Sequence, residues 1–158
     1  MNGKILHTAT ICTAACLMVC SAANGSDMYP GMACQAAFGA ESQYLNSYES
    51  GINNPSSASR WVSCPAIRSY AYNPSTISAY VYIVQPPGAT TTCILHKTDY
   101  RGFSINVSDS ETAPFCTSGA CYGTLSMFIS NDASYTDTIN LTCLVPPGGW
   151  VINYYVDD

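Results

Sequence analysis

Charge is what this sequence has least of. Only 9% of its 158 residues are Asp, Glu, Lys or Arg, against roughly 25% in an average soluble domain. The shortage is deepest among bases, with five Lys and Arg against ten acids and two His. Nucleic-acid binding needs clustered cations to displace counterions, and anionic membranes attract basic runs. No nucleic-acid partner and no adhesion to an anionic membrane surface is therefore expected. The sequence also lacks an apolar run of the roughly 20 residues needed to span a bilayer. It has no capped amphipathic helix, no Cys-x-x-Cys redox pair, no Gly-x-Ser-x-Gly elbow and no EF-hand spacing. No cofactor is expected.

What is present begins with the N-terminus, MNGKILHTATICTAACLMVCSAANG. Lys4 is its only formal charge, residues 5–19 are apolar or small, and Ser21-Ala22-Ala23 closes it with small residues. This is the pattern of a removable export signal. The reading is a signal peptide over 1–25 and one domain over 26–158, secreted or periplasmic, with no transmembrane anchor after processing. Cys16 and Cys20 match a lipidation site only in part. Removing the signal leaves four bases against ten acids, a net charge of −6. So few charges leave Ser, Thr, Asn and Tyr to cover the surface, and the weak repulsion between copies makes self-association possible.

Nine cysteines become six once Cys12, Cys16 and Cys20 are set apart with the signal. An even set in an exported chain reads as a disulfide framework. Six cysteines allow fifteen connectivities, and sequence does not choose among them. Cys93 and Cys143 fall on the apolar faces of two strands and are expected to pair, as in immunoglobulin-like cores. Cys116 and Cys121 enclose a short loop containing Gly119. Cys34 and Cys64 remain as the third pair. Zinc is disfavoured, since only one close cysteine pair and one His remain.

The apolar pattern has period two, which marks half-buried strands. Residues 137–145 alternate most cleanly, with Ile139, Leu141, Cys143 and Val145 on one face. Residues 78–84 place Ala79, Val81 and Ile83 opposite Tyr80, Tyr82 and Val84. Residues 91–97 form a third strand. In 150–156, Trp150, Ile152, Tyr154 and Val156 align against Val151, Asn153 and Tyr155. Weaker strands are read at 60–64, 103–107 and 122–129, with loops at 44–55, 74–77 and 109–119. Residues 108–112 read as one of the most solvated stretches. Each Pro-Pro-Gly, at 86–88 and 146–148, ends a strand and turns the chain. Seven or eight short strands point to an all-β fold, a single antiparallel β-sandwich of immunoglobulin-like or jelly-roll-like type stapled by disulfides.

Chemistry is sparse. A Ser-His-Asp triad would have to use His96, the one His beyond the signal, which falls on the outward face of a strand. Asp109 with Glu111, or Asp132 with Asp137, are candidate carboxylate pairs for glycoside hydrolysis. Asn131, Asp132 and Asp137, or Asn106, Asp109 and Glu111, could cluster oxygens for calcium. In every case a solvated loop is the plainer reading, and no metal is expected. Twelve tyrosines are the richer resource. Tyr80 and Tyr82 on one strand face, with Tyr70 and Tyr72 nearby, are candidates for binding, because Tyr is flat, rigid and amphipathic. The plainer alternative is packing between sheets or across strands.

Several motifs carry a resemblance: Tyr29-Pro-Gly-Met-Ala-Cys34-Gln, Val62-Ser-Cys64-Pro, the strand from Ala79 to Val84, Thr92-Cys93-Ile-Leu, Leu141-Thr-Cys143-Leu-Val-Pro146-Pro147, and Ile152-Asn-Tyr-Tyr-Val156-Asp. Over nearly all of the mature chain it resembles a group of small uncharacterised secreted proteins of Gram-negative bacteria. The resemblance implies export and a disulfide-bonded β-sandwich, and brings no activity or site residues. The expected function is non-catalytic: binding a glycan or an extracellular protein, or self-assembly outside the cell. The alternative is a small extracellular hydrolase using loop carboxylates.

Overall fold

Alternating apolar residues build two sheets that face each other. The computed structural model describes residues 26–66, 75–98, 105–131 and 138–157; the expected signal at 1–25 lies outside them. The strands are β1 (Ser26–Pro30), β2 (Gln35–Ala36), β3 (Asn46–Tyr48), β4 (Gly51–Asn53), β5 (Arg60–Pro65), β6 (Thr76–Gln85), β7 (Thr92–Thr98), β8 (Ile105–Thr112), β9 (Cys121–Ser130), β10 (Thr138–Val145) and β11 (Trp150–Asp157). Short 3-10 turns occupy Gly31–Ala33 and Gly39–Tyr44. The first sheet runs β3-β4-β11-β6-β9, with β1 also beside β11; the second runs β2-β5-β10-β7-β8. Neighbouring strands are antiparallel throughout. The expected antiparallel β-sandwich is the fold the chain adopts.

The core lies between the sheets. Ile77, Ala79, Val81 and Ile83 of β6 and Leu125, Met127 and Ile129 of β9 meet Val62, Leu95, Leu141 and Val145 of the second sheet. Tyr154 is fully buried among them, stacked on Tyr29 with ring centroids 5.1 Å apart. Its hydroxyl donates to the Pro65 carbonyl at 2.6 Å, from β11 in one sheet to β5 in the other. Burial, with the neighbouring Tyr29, pushes its pKa above the ordinary tyrosine range.

Both Pro-Pro-Gly segments carry the chain from one sheet to the other. Ala89 N–H donates to Pro86 O at 3.3 Å and Gly149 N–H to Pro146 O at 2.9 Å. Gly88 and Gly148 have φ of 79° and 72°. Proline at the second turn position and a positive-φ glycine at the third make a type II turn. Buried Asn54 fastens one of these turns. Its side-chain amide donates to Ala58 O and Val145 O, and its backbone exchanges hydrogen bonds with Gly148 and Gly149.

Cys34–Cys64, Cys93–Cys143 and Cys116–Cys121 are bonded; strand faces point to the second pair, the short enclosed loop to the third, and the first is what remains. The placement of the Cys93–Cys143 bridge differs from expectation. Cys93 faces Cys143 directly in the β7–β10 pairing, with Cα atoms 4.0 Å apart. The bridge therefore joins neighbours within one sheet, whereas an immunoglobulin-like bridge spans the core.

Three further readings are corrected. Residues 46–48 and 51–53 are strands within the expected 44–55 loop, and β6 takes the last two residues of the expected 74–77 loop. Residues 108–112 belong to β8 and alternate in exposure. In β11 the phase changes: the register shifts between Val151 and Asn153, so Val151, Tyr154 and Val156 point inward together. Ile152 is the extra residue of a bulge. Gly31 and Gly51 allow it, because a Cβ at either would stand in the Val151 carbonyl oxygen.

Candidate functional site

The outward face of the first sheet collects the exposed rings. Its rows are fixed by register: Phe128 opposite Ser78; Ser126, Tyr80, Tyr155 and Met28 across four strands; Thr124, Tyr82 and Asn153; Tyr122, Val84 and Trp150. Tyr122 is 79% exposed, Met28 61%, Phe128 50% and Tyr82 39%. Tyr80 is half-buried. Its ring centroid lies 5.9 Å from that of Tyr155 and 6.1 Å from that of Phe128. At the far side Trp150 lies 5.3 Å from Tyr48. Tyr80 thus pairs across strands while facing out, and Tyr82 stands free for contact.

Shallow depressions follow this face. One of about 350 Å³ is lined by Tyr82, Tyr122, Thr124 and Asn153, with Ile83, Gly123 and Ile152. A second of about 280 Å³ lies between Met28, Tyr80, Tyr82 and Tyr155. A third of about 350 Å³ runs from Met28 and Asn153 to Glu49 and Ser50. They share Tyr82, Met28 and Asn153, and so form one broken groove. Asn153 donates to Met28 Sδ at 3.9 Å, while its Oδ1 is buried without a hydrogen-bond partner.

The sequence reading found Tyr80 and Tyr82 but missed Tyr122, Phe128, Tyr155, Met28 and Asn153. The alternation of β9, with Leu125, Met127 and Ile129 inward, was the available signal for Tyr122 and Phe128. Tyr155 and Asn153 depend on the bulge. Tyr70 and Tyr72 lie outside the described residues.

The carboxylates serve the fold. Asp109 and Glu111 face Leu95 and Cys93 in register, on the side of β8 that turns toward β9. Phe128 N–H donates to Asp109 Oδ2 at 2.8 Å, and Ser126 N–H donates to Glu111 Oε2. Both acids therefore occupy the backbone edge of β9, which is paired to β6 on its other side. This corrects their reading as solvated loop acids. Asp132, Asp137 and the side chain of Asn106 lie outside the described residues. Among the described residues, no three His, Cys, Asp or Glu side chains group to hold a metal.

His96 sits on the outward face of the second sheet, opposite Asn140 and Ser108. Its Nδ1 is buried without a hydrogen-bond partner, so no acid orients the ring through that atom. Burial lowers its pKa. Of the described bases, Lys97 is fully buried. Arg60 pairs with Glu41 at 3.0 Å and lies 4.2 Å over the Tyr44 ring. The aromatic face thus carries no described Lys or Arg. Among the described residues, no helix is long and apolar enough to cross a membrane.

No protein-family model and no curated protein matches the chain. One solved structure, a carbohydrate-binding module in complex with β-1,4-galactotriose, is similar over 85% of this chain and 85% of its own. The identity is 13% and the TM-score 0.34, and at that level the likeness says nothing about what this chain binds.

Proposed function

We propose that this protein is a non-catalytic, exported β-sandwich that binds a neutral glycan on the outward face of its first sheet. The observation that carries the reading is the groove bordered by exposed Tyr82 and Tyr122, with Thr124 and Asn153 between. Flat rings offer the faces on which sugar rings stack, and a few fixed polar groups orient a ligand. The absence of described bases from this face disfavours an acidic ligand. Export rests on the signal-like N-terminus and on the resemblance to secreted proteins, and three disulfides suit an oxidising compartment.

Affinity electrophoresis in gels containing neutral polysaccharides tests this. Migration is expected to be retarded in at least one of galactan, β-glucan, xylan and hydroxyethylcellulose. Tyr82→Ala and Tyr122→Ala are each expected to weaken binding about tenfold, near 1.4 kcal/mol, with little change in melting temperature. Unretarded migration in every gel, or variants that bind like the parent, would sink the reading.

A further inference from the structure

The groove does not stop at Tyr122. A smaller and more enclosed pocket of about 90 Å³ continues from it past Gly123, bounded by Ile83, Phe115, Tyr122 and the Cys116–Cys121 bridge. Tyr122 and Gly123 line both spaces. The pocket exists because Gly123, opposite Ile83 on β9, has no side chain. Nothing in the backbone demands glycine there. Positive φ among the described glycines belongs to Gly51, Gly88, Gly119 and Gly148. A Cβ at Gly123 would stand 3.5 Å from Ile83 Cγ1 and 3.6 Å from Cδ1, ordinary contact distances. A larger residue would bury more apolar surface and raise strand propensity. A hole that packing could fill without strain, open to a groove, points to an occupant.

The walls say what kind. No charged side chain lines the pocket. Its one amide, Gln85, is engaged at both ends: Nε2 donates to Pro114 O at 3.0 Å, and Oε1 accepts from Thr91 N–H at 2.8 Å. What remains is apolar: Ile83, Pro114, the disulfide and the rings of Phe115 and Tyr122. The volume exceeds the roughly 30 Å³ share of one water and suits a group the size of an acetyl. The disulfide links the residue after Phe115 to the residue before Tyr122, and so sets the spacing of the two rings.

Resting on the glycan-binding reading, we infer that the Gly123 pocket is an end subsite for the acetyl group of an acetylated sugar, with the Cys116–Cys121 bridge holding its walls. Acetyl groups reach glycans as amides or as esters, and two ligand pairs separate these sources. Calorimetry with the full chain would compare tetra-N-acetylchitotetraose with cellotetraose, and acetylated xylan oligomers with the same oligomers after alkaline de-acetylation. At least one acetylated member is expected to bind ten times more tightly than its counterpart. Gly123→Val should reduce that ratio to within twofold and keep or raise the melting temperature. Should valine disturb the fold, Gly123→Ala narrows the pocket with less demand on Ile83. Equal binding within both pairs, or a preference that survives both substitutions, would overturn the subsite while leaving the glycan reading standing. Absence of binding to all four would overturn the subsite, and the glycan reading falls with it only if migration is also unretarded in every polysaccharide gel.

Discussion

The outward face of the first sheet carries rings; that of the second carries hydroxyls that hydrogen-bond to one another. On the second face Thr92 meets Thr112 at 2.8 Å, Thr98 meets Thr138 at 2.6 Å, and Asn140 donates to Thr98 at 3.2 Å. Two of the three disulfides also lie in this sheet, Cys93–Cys143 between β7 and β10, and Cys34–Cys64 where β2 joins β5. Cross-strand polar pairs and covalent bridges stabilise a sheet but leave little to offer a ligand. Among the described residues the first sheet's outward face has one such polar contact, Asn153 to Met28, and no bridge across it, so Tyr82 and Tyr122 stand open. One sheet is a scaffold and the other a surface, although both are built from the same alternation.

The division can be broken most forcefully at the disulfides. Cys93 and Cys143 close a loop of sequence separation 50, and Cys116 and Cys121 one of 5. Chain-entropy reasoning gives about 4 kcal/mol for the long loop and about 2 kcal/mol for the short one. Replacing Cys93 and Cys143 together by serine should lower unfolding stability by about the larger amount, read from urea titrations, and leave glycan affinity of the folded protein intact. Replacing Cys116 and Cys121 should cost less stability but alter binding. The opposite pattern would dissolve the distinction between the two sheets.

The next effect lies where the sheets meet. Asp109 and Glu111 reach from the edge of the second sheet to the backbone amides of Phe128 and Ser126 on the edge of the first. An exposed strand edge is a template for another chain. Changing both acids to alanine removes charged acceptors from two amides, worth about 1–3 kcal/mol each. Lower stability and a concentration-dependent shift to larger species in size-exclusion chromatography are expected. An unchanged elution volume at high concentration would show that the carboxylates do not protect the edge.

These acids also show where sequence stops being legible. β10 and β6 are readable because buried apolar residues alternate along them, Ile139, Leu141, Cys143 and Val145 in one and Ile77, Ala79, Val81 and Ile83 in the other, with outward Leu144 and Val84 and inward Gln85 as the exceptions. β8 defeats that logic, since Asp109 and Glu111 face the neighbouring strand and serve it through hydrogen bonds, which hydropathy does not register. β11 fails differently. Its phase turns on a bulge that needs Gly31 and Gly51 against the Val151 carbonyl, residues about 100 or more positions away. The site was half visible for the same reason. Tyr82 follows from its own strand, but joining it to Tyr122 and Asn153 requires the register of three strands. Strand face suggests Cys93 with Cys143, yet only register shows that the two are neighbours in one sheet.

The smallest effect sharpens the contrast from the scaffold side. His96 lies on the second sheet's outward face, and burial holds its pKa below the usual 6.5. The folded state therefore favours neutral imidazole, while the unfolded chain takes up a proton as pH falls through 6.5. Stability linked to His96 is fully present above that pH and declines below it. Carboxylates titrate mainly near pH 4, so urea unfolding at pH 7.5 and 5.5 isolates the histidine. The parent should be less stable at pH 5.5, and His96→Gln should flatten the difference. Because His96 is on the face opposite the rings, glycan affinity should stay constant over the same interval. A parallel fall in affinity would mean that the two faces are coupled through the core.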